Sequence, residues 1–418
     1  MADVARTWQF GAPSNTRARL RVLKGGAPES TPLGEILRDM GVLSSEQILQ
    51  ALRQQDKQSS LLGDILLARG WVTQVQLLQA LSRQYGAPFI TEGDPAPDPR
   101  LLDRLGIARA LAIGCLPWHR AGGVTLVACA RPAEFNRNRA DLEAVFGPVV
   151  MLLITEIDLH ARVLQMRRSR LRLWAETCVA DDESCRMLQN RWFSRVLVFV
   201  LGLVVLLALV APAAMLLALT GIVVVSMVGS TLLKLAAAVS ALRAPPPNAA
   251  PPHLARRPIV SVMVPLYKEP DVVPRLVGRL SRLTWPRELT DILLVVEEND
   301  HLTRDALAKL DLPRWLRVVP VPDARLKTKP RALNYAMMFA RGSIIGVYDA
   351  EDAPEPDQIH RIVNAFQAGP KNLACVQGVL DFYNPRVNFL SRCFTIEYAT
   401  WFRTMLPGMQ RLGLAVPL

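Results

Sequence analysis

Residues 344–357 read IIGVYDAEDAPEPD: an uncharged run of strand length that ends in Asp349, Glu351 and Asp352, ahead of Pro354 and Pro356. Three more runs of this kind lie upstream, at Pro258 to Pro265 (PIVSVMVP), Ile292 to Glu297 (ILLVVE) and Leu316 to Val319, separated by amphipathic stretches such as Val272 to Leu283. Short runs rich in β-branched residues, alternating with helical patterns, predict an α/β domain in which helices cover a mostly parallel sheet. Open sheets of this type bind ligands outside the carboxyl ends of their strands. That rule selects Tyr267-Lys268-Glu269 after the first run, Glu298-Asn299-Asp300 after the second and Asp349 to Asp352 after the fourth.

Carboxylates this crowded repel one another unless a cation lies between them. Oxygen ligands suit Mg²⁺ or Mn²⁺, which such sites share with substrate phosphates. Between the acids stands Lys327-Thr328-Lys329-Pro330-Arg331-Ala332-Leu333-Asn334, whose cations can neutralise a diphosphate. An acidic turn before a proline is by itself a commonplace solvated loop. Acids and bases together at successive strand ends point further, to a nucleoside diphosphate substrate.

The rest of the chain sets the context. Of its 418 residues 50% are hydrophobic, and Val196 to Leu233 is a run of 38 without a charge. One helix of that length would extend about 57 Å against a hydrocarbon core of about 30 Å, so the run predicts a helical hairpin broken at Pro212. A pair of buried helices in a soluble core is the alternative. The first arm is short and draws on Trp192 and Phe193, with Arg195 reaching the interface. Arg162, Arg167, Arg168, Arg170, Arg172, Arg186, Arg191 and Arg195 precede the run, and Lys234, Arg243, Arg256 and Arg257 follow it. Both ends are therefore expected on the cytoplasmic side. Much of the net charge of +12 lies beside this hairpin, where anionic lipid is the nearer partner, so a nucleic-acid function is not expected. The N-terminus lacks the apolar stretch of a cleaved signal. Six scattered cysteines without a C-x-x-C pair argue against a disulfide scaffold or a zinc site.

Near the N-terminus PLGEILRDMGVLSSEQILQALRQQ (32–55) recurs as LLGDILLARGWVTQVQLLQALSRQ (61–84), at an offset of 29 residues. Each copy predicts two short helices, the first ended by Gly41 or Gly70 and the second capped by Ser44 or Thr73. Apolar residues at this spacing are core by default. Strands are expected near Cys115 to Trp118, Val124 to Ala130 and Val149 to Ile154, and no G-x-x-x-x-G-K-[ST] phosphate loop is present.

Two family resemblances rest on these motifs. The tandem repeat resembles the N-terminal domain of type II secretion and pilus ATPases, in the variant that binds cyclic di-GMP. That resemblance implies contacts from Leu33, Gly34, Gly41 and Gln55 in one copy and Leu62, Gly63, Gly70 and Gln84 in the other. The family's leading arginine is replaced by Pro32 and Leu61. Residues 258–418, through P-L-Y-K-E, KPRALNYA and YDAEDAPEPDQ, resemble the inverting family 2 glycosyltransferases, especially the membrane-bound cellulose-synthase-like branch. The resemblance implies a Rossmann-like nucleotide-diphospho-sugar transferase fold. Glu269 and Glu298 would meet the uracil and ribose, Lys329 the diphosphate, and Asp349 and Glu351 the metal, with Glu in place of the second Asp of D-x-D. Asp352 would add a further contact to the metal, and Asn334 would support the donor site.

Domain order is similar to that of bacterial exopolysaccharide synthases and the bacteriophage adsorption protein B group. The expected organisation is a tail (1–29), a helical-repeat and α+β domain (30–165, repeat 32–84, α/β part 92–165), a basic juxtamembrane segment (166–195), two transmembrane helices (196–233), a Pro-rich linker (244–257) and the transferase domain (258–418). The implied protein is a multi-pass enzyme of the bacterial inner membrane. It would pass sugar from a UDP-sugar to a growing exopolysaccharide with inversion, under cyclic di-GMP control. Transfer of one sugar to a polyprenyl phosphate lipid, and a non-catalytic receptor or assembly platform, are the alternatives. The family's general base and its Gln-x-x-Arg-Trp motif would follow Leu418, so residues 1–418 are expected to bind donor without polymerising.

Overall fold

The structure, a computed structural model, describes residues 31–416 except 59, 92, 181–182, 184–190, 243–255, 325–326 and 383. The predicted tail, most of the predicted linker, Cys185, Arg186 and Arg243 lie outside the described residues. The chain divides into two compact units, one of residues up to Cys178 with Leu254–Ile359, the other of Val179–His253 with His360–Leu418.

In the first unit the repeat forms α1 (Leu33–Asp39), α2 (Ser45–Gln55), α3 (Leu62–Ala68) and α4 (Gln74–Tyr85). Periodicity extends to the caps: Ser44 Oγ accepts from Gln47 N while Gln47 Oε1 accepts from Ser44 N, and Thr73 and Gln76 repeat the exchange. Gly41 (φ +70°) and Gly70 (φ +67°) take the left-handed turn that ends α1 and α3, a conformation disfavoured for residues with a Cβ. Leu37, Ala51, Ile65, Leu66 and Ala80 form the core between the pairs.

Helices α5 (Pro99–Leu105) and α6 (Ile107–Ile113) lead to a three-stranded sheet of β1 (Cys115–Ala121), β2 (Val124–Cys129) and β3 (Val149–Leu153). Strands β1 and β2 are antiparallel; β3 joins β2 in parallel after α7 (Pro132–Arg137) and α8 (Arg139–Phe146). Then α9 (Glu156–Thr177) follows, with a non-helical residue at Arg167.

The second sheet contains β4 (Val260–Leu266), β5 (Thr290–Glu297), β6 (Leu316–Val321) and β7 (Ile344–Val347), all parallel, in the order β6-β5-β4-β7. Its helices are α12 (Val273–Leu280), α13 (His301–Ala308) and α14 (Lys329–Met337). Every residue of β5 is buried, as expected for a central parallel strand covered on both faces. The chain steps outward from β4 to β6 and then returns to lay β7 on the other side of β4. The crevice between the carboxyl ends of β4 and β7 is thus the topological switch point where such sheets bind ligands.

The two sheets share one apolar core. Leu171 and Ala175 of α9 belong to it with Tyr335 and Phe339 from the α14 region. At the opposite end of the second sheet from the crevice, Asp291 is fully buried and accepts from Ser261 Oγ (2.6 Å), Arg317 Nη2 (2.7 Å) and Arg341 N (3.0 Å). Arg341 also approaches Glu156 of α9 at 3.7 Å, which ties the N-terminal helices to the sheet.

In the second unit α10 (Arg191–Val210) and α11 (Pro212–Leu242) are separated at Ala211, as Pro212 predicts. Their mean hydropathies of 2.8 and 2.2 and their lengths suit membrane crossing. Both helices outrun the predicted span of 196–233. The first starts at Arg191, and the second passes Lys234 because the Ala- and Leu-rich stretch beyond it favours helix. Helix α15 (Gln358–Ala368) begins at the boundary between the units. Later come α16 (Phe389–Thr400), a π turn over Trp401–Met405 and α17 (Leu406–Arg411). A Cβ at Gly408 would lie 2.0 Å from the Ala237 carbonyl oxygen, so only glycine permits this approach of α17 to α11.

Candidate functional site

The crevice is built from three strand ends and the start of α14. Tyr348 N donates to Met263 O at 3.1 Å, extending the β4–β7 ladder by one residue and setting Asp349 beside the end of β4. The following turn is closed by its own acid: Asp352 Oδ2 accepts from Asp349 N at 2.8 Å, and Asp352 N donates to Asp349 O at 3.1 Å. Arg279 of α12 holds the backbone from outside, donating to Glu351 O at 2.5 Å and Asp352 O at 3.3 Å. Asp349 is ion-paired with Lys329, the first residue of α14.

Across the crevice stands Glu269, on the turn that leaves β4. Burial pushes its carboxyl above the ordinary range, and the charges of Glu351, Asp349 and Asp300 push it further in that direction. Its Oε2 is buried and has no hydrogen-bond partner among the described residues. Asp352 is likewise raised, first by burial and then by Asp349 and Glu351, against the hydrogen bond from the Asp349 N–H and the charge of Lys329. Burial, with Asp352 nearby, pushes the Tyr348 hydroxyl up to about 12. Oxygen donors of one sign, one with an orphaned oxygen, make a crevice that a divalent cation or a hydroxyl-rich ligand would relieve. Among the described residues no three acidic, His or Cys side chains converge as a closed metal cage. Asp349 and Glu351 lie within electrostatic reach of Glu269, whereas Asp352 is engaged in the turn. An open arrangement of this kind fits Mg²⁺ or Mn²⁺, which keep waters and borrow ligands from phosphates.

The remaining predicted residues are dispersed around this centre. Glu298, just beyond β5, is ion-paired with Arg168 of α9, and its Oε2 accepts from Asp323 N at 3.5 Å. Asn334 donates from Nδ2 to the Ala175 carbonyl oxygen at 3.2 Å, so its amide joins α14 to α9. In the repeat, Gly34 and Gly63 lie against Ile48 and Leu77, where a Cβ would approach to 3.0 and 3.1 Å. Gln84 donates to Thr31 O at 3.4 Å, Leu33 and Leu62 pack on the helical core, and Gly41 and Gly70 shape the turns. Gln55 ends α2, and its carbonyl oxygen accepts from Gln58 N at 3.1 Å.

Sequence reasoning did not single out Thr303, and it named Arg331 and Asp300 without the partners that define their roles. Arg331, only 1% exposed, donates from Nη2 to both Glu297 carboxylate oxygens at 2.8 and 2.9 Å and from Nη1 and Nη2 to Pro322 O at 3.1 and 3.2 Å, joining α14 to the ends of β5 and β6. Asp300 and Thr303 hold the Lys268–Glu269 turn. A signal for Asp300 was its place as N-cap of α13, three residues before a threonine.

Comparison with known proteins agrees with this geometry. Residues 261–415 match the model of glycosyl transferase family 2, and residues 85–172 match the MshEN domain. Similar curated proteins include glucomannan 4-beta-mannosyltransferase 7 of Arabidopsis thaliana, 28% identical over 156 residues that make up 34% of this chain and 28% of that protein. Another is the probable glycosyltransferase YdaM of Bacillus subtilis (strain 168), 28% identical over 144 residues, 34% of each chain. The chain thus spans about a third or less of the length of these relatives. Among solved structures, MshE with cdg is similar at 26% identity and a TM-score of 0.30, over 32% of this chain and 99% of that one. Mannosyltransferase PcManGT from Pyrobaculum calidifontis, in complex with GDP-Man and Mn2+, is similar at 25% identity and a TM-score of 0.31, over 40% of this chain and 49% of that one. By the family models, an MshEN domain at residues 85–172 precedes a family 2 glycosyl transferase domain at residues 261–415.

Proposed function

We propose that this protein is a membrane glycosyltransferase that takes sugar from a nucleotide-sugar donor, a UDP-sugar by its motifs, and adds it to a growing polysaccharide with inversion. The reading also places it in the bacterial cytoplasmic membrane, with α10 and α11 as spans and the first unit on the cytoplasmic side. The observation that carries the reading is the crevice at the β4–β7 switch point, where the orphaned Glu269 oxygen faces the charges of Asp349 and Glu351. A polymer acceptor is favoured over a single lipid-linked acceptor by the similarity to glucomannan mannosyltransferases.

In this reading Asp349 and Glu351 would hold Mg²⁺ or Mn²⁺, which stabilises the negative charge that develops on a departing diphosphate. Lys329, released from Asp349, supplies a cation to the same diphosphate. Glu269 and Glu298 accept hydrogen bonds from the nucleoside, and Glu269 thereby satisfies its unpartnered oxygen. Cyclic di-GMP would act through Leu33, Gly34, Gly41 and Gln55 and their counterparts Leu62, Gly63, Gly70 and Gln84, with Pro32 and Leu61 omitting a charged contact.

The test is binding of UDP to the intact, detergent-solubilised protein by calorimetry, with and without Mn²⁺. Mn²⁺-dependent binding that Asp349→Ala abolishes is the expected result. UDP binding that is absent, or indifferent to that substitution, refutes the reading.

A further inference from the structure

Among the described residues Lys268 is the one non-glycine with a left-handed backbone, at φ +58°. It stands immediately before Glu269, at the end of β4. A side chain in this region of backbone space persists only where the surroundings hold it. Asp300, 4% exposed, does the holding: its Oδ2 accepts from Lys268 N at 2.5 Å and from Thr303 Oγ1 at 2.7 Å, and its Oδ1 accepts from Thr303 N at 3.2 Å. The same Thr303 Oγ1 accepts from Glu269 N at 3.0 Å. Two consecutive backbone N–H groups of the turn thus end on one buried carboxylate, one directly and one through a hydroxyl that is 0% exposed. Beyond the left-handed Lys268, the Glu269 carboxyl has its Oε2 buried and lies within electrostatic reach of Glu351 and Asp349.

We infer that Asp300, with Thr303 as its relay, is a positioning residue that holds the Lys268–Glu269 turn in its strained form and so presents the Glu269 carboxylate to the donor. This rests on the reading of Glu269 as a donor contact. Asp300 acts through the turn, since its two oxygens accept from Lys268 N, Thr303 Oγ1 and Thr303 N. Its role is the arrangement of a neighbour.

The experiment measures Mn²⁺-dependent UDP binding by the full chain in detergent, with circular dichroism and melting temperature alongside. Glu269→Gln should lose binding, which checks the donor reading independently. Asp300→Ala should weaken binding by about 10- to 100-fold, the range for loss of a supporting partner. Thr303→Val, which keeps the shape but not the hydroxyl, should act in the same direction and covers the case in which Asp300→Ala does not fold. The decisive variant is Lys268→Gly. Glycine adopts φ +58° without help, so Asp300→Ala/Lys268→Gly should recover most of the affinity of Lys268→Gly alone. A purely structural role for Asp300 would show no such rescue. Wild-type binding by Asp300→Ala and Thr303→Val, or failure of the double variant to recover while it remains folded, overturns the inference with the donor reading intact. Undiminished binding by Glu269→Gln overturns both.

Discussion

Replacing Arg331 by methionine tests how α14 is anchored to the rim of the crevice. The Arg331 and Glu297 side chains are 1% and 6% exposed. Burial raises the Glu297 carboxyl above its ordinary range even though the Arg331 guanidinium lowers it, so desolvation outweighs the partner. Breaking such a pair from one side leaves a buried uncompensated charge, at a cost of about 3–5 kcal/mol. For a unit of this size, at roughly 2–4 °C per kcal/mol, Arg331→Met should lower the melting temperature by about 6–20 °C. Glu297→Leu should cost a similar amount by stranding the guanidinium. In Glu297→Leu/Arg331→Met neither charge remains, and the residual loss is the Pro322 carbonyl that Arg331 satisfied, about 1–3 kcal/mol. The double variant should therefore be more stable than either single one, with a coupling of at least about 3 kcal/mol in a double-mutant cycle. Guanidinium denaturation of the full-length protein followed by tryptophan fluorescence measures it. Additive losses would refute the argument, because they would mean that the two residues do not stabilise each other.

Two further predictions address the joint between the N-terminal helices and the sheet. Burial alone would raise Asp291, but the charges of Arg317 and Arg341, with hydrogen bonds from Ser261 and the Arg341 N–H, hold it below the ordinary carboxylate range. Its folded value lies below its unfolded value of about 3.9, so its contribution is complete above that pH and lost as pH falls through the folded value. Asp291→Asn should lower neutral stability by about 3–5 kcal/mol and flatten the acid limb of the stability–pH curve, and an unchanged acid limb in urea titrations would count against this. Arg168→Ala should change stability by no more than about 1 kcal/mol, since its ion pair with Glu298 is partly exposed. It should strengthen UDP binding by freeing the Glu298 carboxylate; weaker binding in calorimetry would show that Arg168 itself supports the ligand.

The strands of the second sheet could be read from the sequence because parallel strands covered on both faces leave long apolar runs, and the acids at Asp349 and Glu351 could be read because they follow such a run directly. Likewise Pro212 divided the uncharged segment where the helices separate. Partnerships were not legible. Arg331 looked like one more cation for a diphosphate, yet its guanidinium is buried against a carboxylate at the end of another strand. Asn334 was read as supporting the donor site, and its bond to Ala175, far away in the chain, was not legible. Asp300 was selected at its strand end, but its bond to Lys268 was not legible because the left-handed φ of Lys268 has no signature in residue type. Each is a polar group whose role depends on what the fold sets opposite it.

Those partnerships bear on how the N-terminal helices could influence the crevice. The first half of α9 supplies Leu159 and Val163 to the core of the N-terminal half, and beyond the non-helical Arg167 its second half carries Arg168 to Glu298 and receives Asn334 at Ala175. Arg167 itself is pinned to Asp103 at 2.6 Å and to Pro99 O at 2.7 Å, outside the helical ladder. A rotation about this residue would move Arg168 and Ala175 together, and α14 begins with Lys329. Because packed interiors resist continuous deformation, such a movement would change the environment of Glu298 and Lys329 in the same step. Releasing the bend, by substituting Arg167 and Asp103 together, should therefore alter UDP affinity in calorimetry although neither residue lines the crevice, and an unchanged affinity would refute this coupling.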